Sequence, residues 1–154
     1  MKVLIMRHGE AEHFADSDAQ RALTTRGRLE SETVAKACAE HGITNFDKVL
    51  VSPYLRAQQT WQEISGYFQA DAVETCEDIT PYGQSEQVYD YLCALIEVEQ
   101  PEQILLVSHL PLVGYLTAEF VKDMSAPMFP TSGMVCVEFE PSQHRGEIRF
   151  SLRP

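Results

Sequence analysis

Three short apolar runs constrain this chain more than any other feature: Val3-Leu4-Ile5-Met6, Val49-Leu50-Val51 and Ile104-Leu105-Leu106-Val107. Each is continuous rather than alternating, the mark of a strand buried on both faces. Turn chemistry follows each run, and residues at helical spacing come next. Strands alternating with helices imply a largely parallel sheet covered on both sides.

The helical stretches can be placed from their ends. Thr25 is expected to cap a helix running to about His41, with Val34, Ala37 and Cys38 on one face and Gly42 as its stop. Ser52-Pro53 is expected to open the next, which carries Ala57, Trp61, Ile64 and Phe68 at helical spacing. A short strand near Ala72 to Thr75 leads through Asp78-Ile79-Thr80-Pro81-Tyr82-Gly83 to a helix with Val88, Leu92, Leu95 and Ile96 inward. Pro111 opens a helix bearing Val113, Leu116 and Phe120. The period then changes to two. Val135, Val137 and Phe139, followed by Ile148, Phe150 and Leu152, read as half-buried strands around a turn at Arg145-Gly146. No linker or internal repeat interrupts the pattern, so residues 1–154 are expected to form one domain.

With 12 basic and 23 acidic residues the formal charge is −11. That argues against nucleic acid or an anionic membrane as a partner, since both demand a basic face. Four cysteines, at 38, 76, 93 and 136, form no C-x-x-C pair and suit a reducing compartment. The apolar run before Arg7 is too short for a signal peptide or a spanning helix, so the cytoplasm is the expected location.

Against that acidic background, basic residues converge on one edge of the sheet. In open α/β sheets ligands sit at the carboxyl ends of the strands. His8, Ser52 and His109 each fall just past a strand, Arg7 precedes His8, and Arg56 lies in the first turn of the following helix. Two arginines and two histidines can therefore meet on one dianion. Imidazole is a nitrogen nucleophile that needs no strong base near neutral pH, and guanidinium forks match phosphate oxygens. The helix opening at Leu110-Pro111 adds free backbone N–H groups.

Three separated blocks, Arg7-His8-Gly9, Ser52-Pro53-Tyr54-Leu55-Arg56-Ala57-Gln58-Gln59-Thr60 and Ser108-His109, resemble those of the histidine phosphatase (phosphoglycerate mutase-like) superfamily. The small size, Thr80-Pro81-Tyr82-Gly83, Leu110-Pro111-Leu112-Val113-Gly114 and Pro127-Met128-Phe129 bring it close to the SixA-type phosphohistidine phosphatases. The resemblance implies a three-layer α/β/α sandwich with a central, mostly parallel mixed sheet. It implies His8 as the phosphorylated nucleophile, with Arg7, Arg56 and His109 holding phosphoryl oxygens. Arg21 resembles a basic loop position near the site in relatives. Larger members insert a lid and an acidic proton donor after the third strand. Only the segment from Glu77 to Gly83 stands there, so no lid domain is expected.

A missing donor has a chemical reading. A sugar alkoxide needs a general acid to leave, whereas a phosphohistidine can take a proton on its free ring nitrogen and depart as neutral imidazole. The substrate expected from this is a phosphohistidine on a signalling or phosphotransfer protein, such as a histidine phosphotransfer domain or a phosphotransferase-system carrier. Hydrolysis of small phosphate esters and a non-catalytic phosphoprotein-binding module are the alternatives. Glu10, Asp16, Asp18, Glu77 and Asp78 are candidate donors, while His13, His41 and His144 read as loop or helix-end residues. No cofactor is expected, and no metal, because arginines beside the two histidines repel a cation.

Overall fold

The computed structural model describes residues 1–154. The chain runs β1 (Lys2–Arg7), α1 (Thr25–Glu40), β2 (Asn45–Phe46), β3 (Lys48–Val51), α2 (Leu55–Ile64) and β4 (Gln69–Ala70). It continues with β5 (Val73–Thr75), α3 (Ser85–Glu99), β6 (Gln103–Ser108), α4 (Leu112–Phe120), β7 (Met134–Glu140) and β8 (Arg145–Leu152). The main sheet has the order β5-β3-β6-β1-β7-β8. Its first four members are parallel, while β7 and β8 add antiparallel pairs at one side.

Strand geometry explains why the three apolar runs lack alternation. Successive side chains point to opposite faces, and here both faces are covered. Val3 and Ile5 of β1 join Leu50, Ile104 and Leu106 beneath α3 and α4, with Leu92 and Phe120 among the helix residues they meet. Leu4 and Met6 join Val49, Val51, Leu105 and Val107 beneath α1 and α2, with Val34, Cys38, Ala57 and Ile64. Burying each such side chain fully contributes about 1.5–3 kcal/mol. The result is the expected three-layer sandwich with a mixed central sheet.

Local chemistry moved several boundaries. Thr24, not Thr25, caps α1, its hydroxyl accepting from the Gly27 amide at 2.9 Å. The stop at Gly42 holds, with φ +87°. The second helix starts at Leu55 rather than at Ser52-Pro53, because the Ser52 hydroxyl accepts the Tyr54 amide at 3.2 Å and turns toward His109. Phe68 lies beyond the end of α2 and packs edge-on against Phe46. The reversal between β7 and β8 is a helical turn at Pro141–Gln143 followed by His144 in the left-handed region, so Arg145 already belongs to β8. A two-stranded pairing of β2 with β4 had no signal of its own in the sequence. No helix is long and apolar enough to cross a membrane.

Candidate active site

Backbone register brings the two histidines side by side. Arg7 on β1 pairs with Ser108 on β6, so the next residues, His8 and His109, leave adjacent strands at one level. The His8 amide still donates to the Ser108 carbonyl at 3.0 Å, and the Ser52 amide to the Val107 carbonyl at 3.1 Å. The rings of His8 and His109 lie 5.0 Å apart, tilted by 55°. His8 is 7% exposed and His109 1%.

The His8 ring has a defined tautomer. Its Nδ1 lies 2.7 Å from the Gly9 carbonyl, which can only accept, so Nδ1 carries the hydrogen and Nε2 keeps its lone pair. Arg56 Nε donates to that Nε2 at 3.3 Å. The turn itself is clamped: the Gly9 amide donates to Thr60 Oγ1 at 3.0 Å, and Thr60 donates back to the Arg56 carbonyl at 2.7 Å. Side chains larger than hydrogen do not fit the interlock behind it. A Cβ on Gly27 would strike the Glu10 backbone, and one on Gly9 would strike Gly27.

Arg56 is buried and braced on its far side. Its Nη1 donates to the Asp18 carbonyl at 2.7 Å, its Nη2 pairs with the Asp18 carboxylate at 3.2 Å, and its guanidinium covers the Tyr54 ring at 5.0 Å. Arg21 grips the same carboxylate at 2.9 Å and the Glu12 carbonyl at 2.7 Å. Asp18 is therefore held ionised, its pKa lowered first by Arg21 and then by Arg56. Its place among the candidate proton donors is lost. The Glu10 carboxylate accepts from the Thr24 hydroxyl, and neither histidine ring bonds a carboxylate. Arg7 donates from Nη1 to the Phe129 carbonyl at 2.9 Å, while its buried Nε has no partner.

Thr60, Asp18 and the hydroxyl of Ser52 are the positioning groups that sequence reasoning did not assign. Each acts over 38 to 57 residues of chain, so no local pattern marks it. His13 and His144 are exposed, and His41 stacks on Phe150 at 4.1 Å. The cysteines are free, and burial pushes Cys38 up to about 12 and Cys136 to about 11. A cleft of about 830 Å³ at the opposite end of the strands, beside Met1, Phe139 and His144, is lined by none of Arg7, His8, Arg21, Arg56 and His109.

Electrostatics keep the histidines neutral. Burial lowers His8 to about 4, assisted by Arg56, Arg7 and Arg21 and opposed by the bond to Gly9. His109 falls to about 2, from burial and then from His8 and Arg56. An unfolded chain would bind protons at both positions first. The stability tied to neutral imidazoles is thus fully present above about pH 6.5 and is lost as pH falls toward 4 and below. For His8 alone the loss is on the order of 3 kcal/mol. Thermal unfolding of the wild type should weaken steeply between pH 7 and 4, and His8→Gln should flatten that dependence. Parallel curves for the two proteins would contradict it.

Such a site presents a nitrogen lone pair that Arg56 holds by one hydrogen bond, two guanidinium groups and a second imidazole to a tetrahedral anion. The sequence profile of the Histidine phosphatase superfamily (branch 1) matches residues 3–87. The phosphohistidine phosphatase SixA of Escherichia coli (strain K12) is 39% identical over the whole chain and 94% of its own length. This chain belongs to the histidine phosphatase superfamily. A SixA homolog from Haemophilus influenzae is 41% identical over 77% of this chain and 76% of its own. Among superfamily structures, that of the protein histidine phosphatase SixA complexed with tungstate superposes with a TM-score of 0.93. Its sequence is 39% identical, and the match covers 100% of this chain and 97% of that one.

Proposed function

We propose that the protein is a phosphohistidine phosphatase that removes the phosphoryl group from a histidine of another protein. The observation that carries this reading is the fixed His8 tautomer. Nε2 offers a lone pair beside Arg56, inside a fold shared at full length with phosphohistidine phosphatases. His8 Nε2 attacks phosphorus in line, the substrate's P–N bond breaks, and the departing imidazole takes its proton from solvent. Water then attacks the phosphorylated His8, the new P–N bond breaks, and inorganic phosphate leaves. Arg7 and Arg56 hold the equatorial oxygens, whose charge they match as preorganised donors. Tungstate, seen with the similar SixA, is a tetrahedral dianion of the same kind as phosphate.

A macromolecular substrate fits the surroundings. Three segments meet beside Arg7: a Cβ on Gly83 would touch Leu112, and one on Gly114 would strike the Pro127 carbonyl. They expose Tyr82 at 77%, Met128 at 80% and Tyr115 at 56%, next to the loop whose Phe129 carbonyl binds Arg7. An apolar rim of this kind, on segments joined to the loop that binds Arg7, suits the face of a folded partner rather than a small ester. The partner carries the phosphohistidine, as histidine phosphotransfer domains and phosphotransferase-system carriers do.

The test measures phosphate release from phosphorylated proteins of both kinds alongside phosphoramidate and p-nitrophenyl phosphate. Release from phosphoprotein should dominate. Met128→Glu and Tyr82→Glu should raise KM for the protein substrate about tenfold or more, with phosphoramidate turnover unchanged. Efficient ester hydrolysis with inert phosphoprotein would favour the small-ester reading, and equal losses on both substrates would remove the rim from recognition.

A further inference from the structure

The buried hydroxyl of Ser52 has two contacts in the protein. The Tyr54 amide donates to Oγ at 3.2 Å, and His109 Nε2 lies 2.7 Å away. Ser52 is fully buried, so its own hydrogen has no access to solvent. A hydroxyl has one hydrogen to give and two lone pairs to receive. The amide already occupies one lone pair. If His109 Nε2 also donated, the serine would receive twice and its hydrogen would be left buried without an acceptor. That loss costs about 1–3 kcal/mol. His109 Nε2 is the one acceptor in contact.

We infer that Ser52 is a positioning residue that sets the tautomer of His109, donating to Nε2 so that the hydrogen sits on Nδ1. Nδ1 is buried and has no partner in the protein, in a ring 5.0 Å from that of His8. The relay runs in one direction: the Tyr54 amide donates to Ser52, Ser52 to His109, and His109 toward the site. Tyr54 also packs edge-on against the His109 ring at 5.1 Å, which limits its rotation.

Both imidazoles are thereby arranged from behind, with opposite results. Gly9 accepts from His8 and leaves a lone pair toward phosphorus; Ser52 donates to His109 and leaves an N–H toward a phosphoryl oxygen. Swapping the His109 tautomer would set a lone pair against an anion. His109 is neutral in the free site, with burial first, and then His8, Arg56 and Arg7, lowering its pKa and Asp18 opposing them. Tautomer, not protonation, therefore decides what it offers there. The relevance to catalysis rests on the phosphoryl-transfer reading above, but the tautomer itself does not.

Long-range proton–nitrogen NMR of the ligand-free wild type at neutral pH tests this directly. His109 should show protonated Nδ1 and unprotonated Nε2; the reverse assignment would overturn the proposal. In Ser52→Ala the His109 population should shift toward Nε2–H, and tungstate affinity should fall about tenfold. An unchanged tautomer with unchanged tungstate affinity in that variant would also overturn it. Should the variant fail to fold, the wild-type assignment decides alone. None of these readouts requires turnover, so a failure of the phosphatase reading would be seen separately, as absent phosphate release.

Discussion

Replacing His8 with alanine is expected to abolish turnover, by a factor on the order of 10⁴ or more, without unfolding the protein. Its Nε2 is the nitrogen whose lone pair faces the basic groups, because Nδ1 is committed to the Gly9 carbonyl. No second group can take over the attachment: the Ser52 hydroxyl is occupied, and the free cysteines lie elsewhere with Cys38 and Cys136 buried. Arg7 is anchored on Phe129, and Arg56 keeps its two bonds to Asp18 when the one to His8 is lost, so oxyanion binding should persist in the variant. Rapid quenching of the wild type with phosphorylated substrate should trap an acid-labile, alkali-stable phosphate on the peptide containing His8. His109→Ala should lower its yield without moving it. Label on His109, or near-native turnover in His8→Ala, would refute the assignment.

Arg56→Ala carries the second-largest expected effect, a loss in kcat/KM of roughly 10²–10³. One guanidinium here has three duties. It donates to the His8 nitrogen proposed as the nucleophile at 3.3 Å, is proposed to hold the phosphoryl group, and ties down the Asp18 loop through two bonds. Arg56→Lys should recover little, since a single ammonium cannot reproduce a fork held at both ends. Asp18→Asn separates the duties, because it keeps the guanidinium and loosens its brace. It should cost clearly less than Arg56→Ala. Tungstate titration checks the binding part: unchanged affinity in Arg56→Ala would take that residue out of the site.

The sequence exposed the histidines and arginines gathered at the strand ends better than the groups that hold them. His8, His109 and Arg56 sit at strand ends or in a first helical turn, positions that an alternating strand–helix pattern locates. Arg7 was legible for the same reason, although its anchor on Phe129 was not. Thr60 lies inside a helix, where a threonine looks like any moderate helix former, yet it clamps the Gly9 turn across 51 residues. Asp18 looked like a loop carboxylate among several and became the brace of two arginines. Ser52 was expected to cap a helix. Its hydroxyl was required by His109 instead, and the helix began three residues later.

The matching of Arg7 with Ser108 between β1 and β6 has a consequence for durability. Separation of the two imidazoles is set by the spacing of neighbouring strands, about 4.8 Å, in the middle of the main sheet. The amides of His8 and Ser52 should exchange with deuterium only when the sheet itself opens, while that of Tyr82, held by an exposed bond to the Thr80 hydroxyl, exchanges through local opening. On the proposed reading, chemistry and recognition reside in parts of different thermodynamic depth. Substitutions in the rim loops can retarget the protein while the distance between the rings stays as it is. Heat would abolish partner discrimination before it parts the histidines.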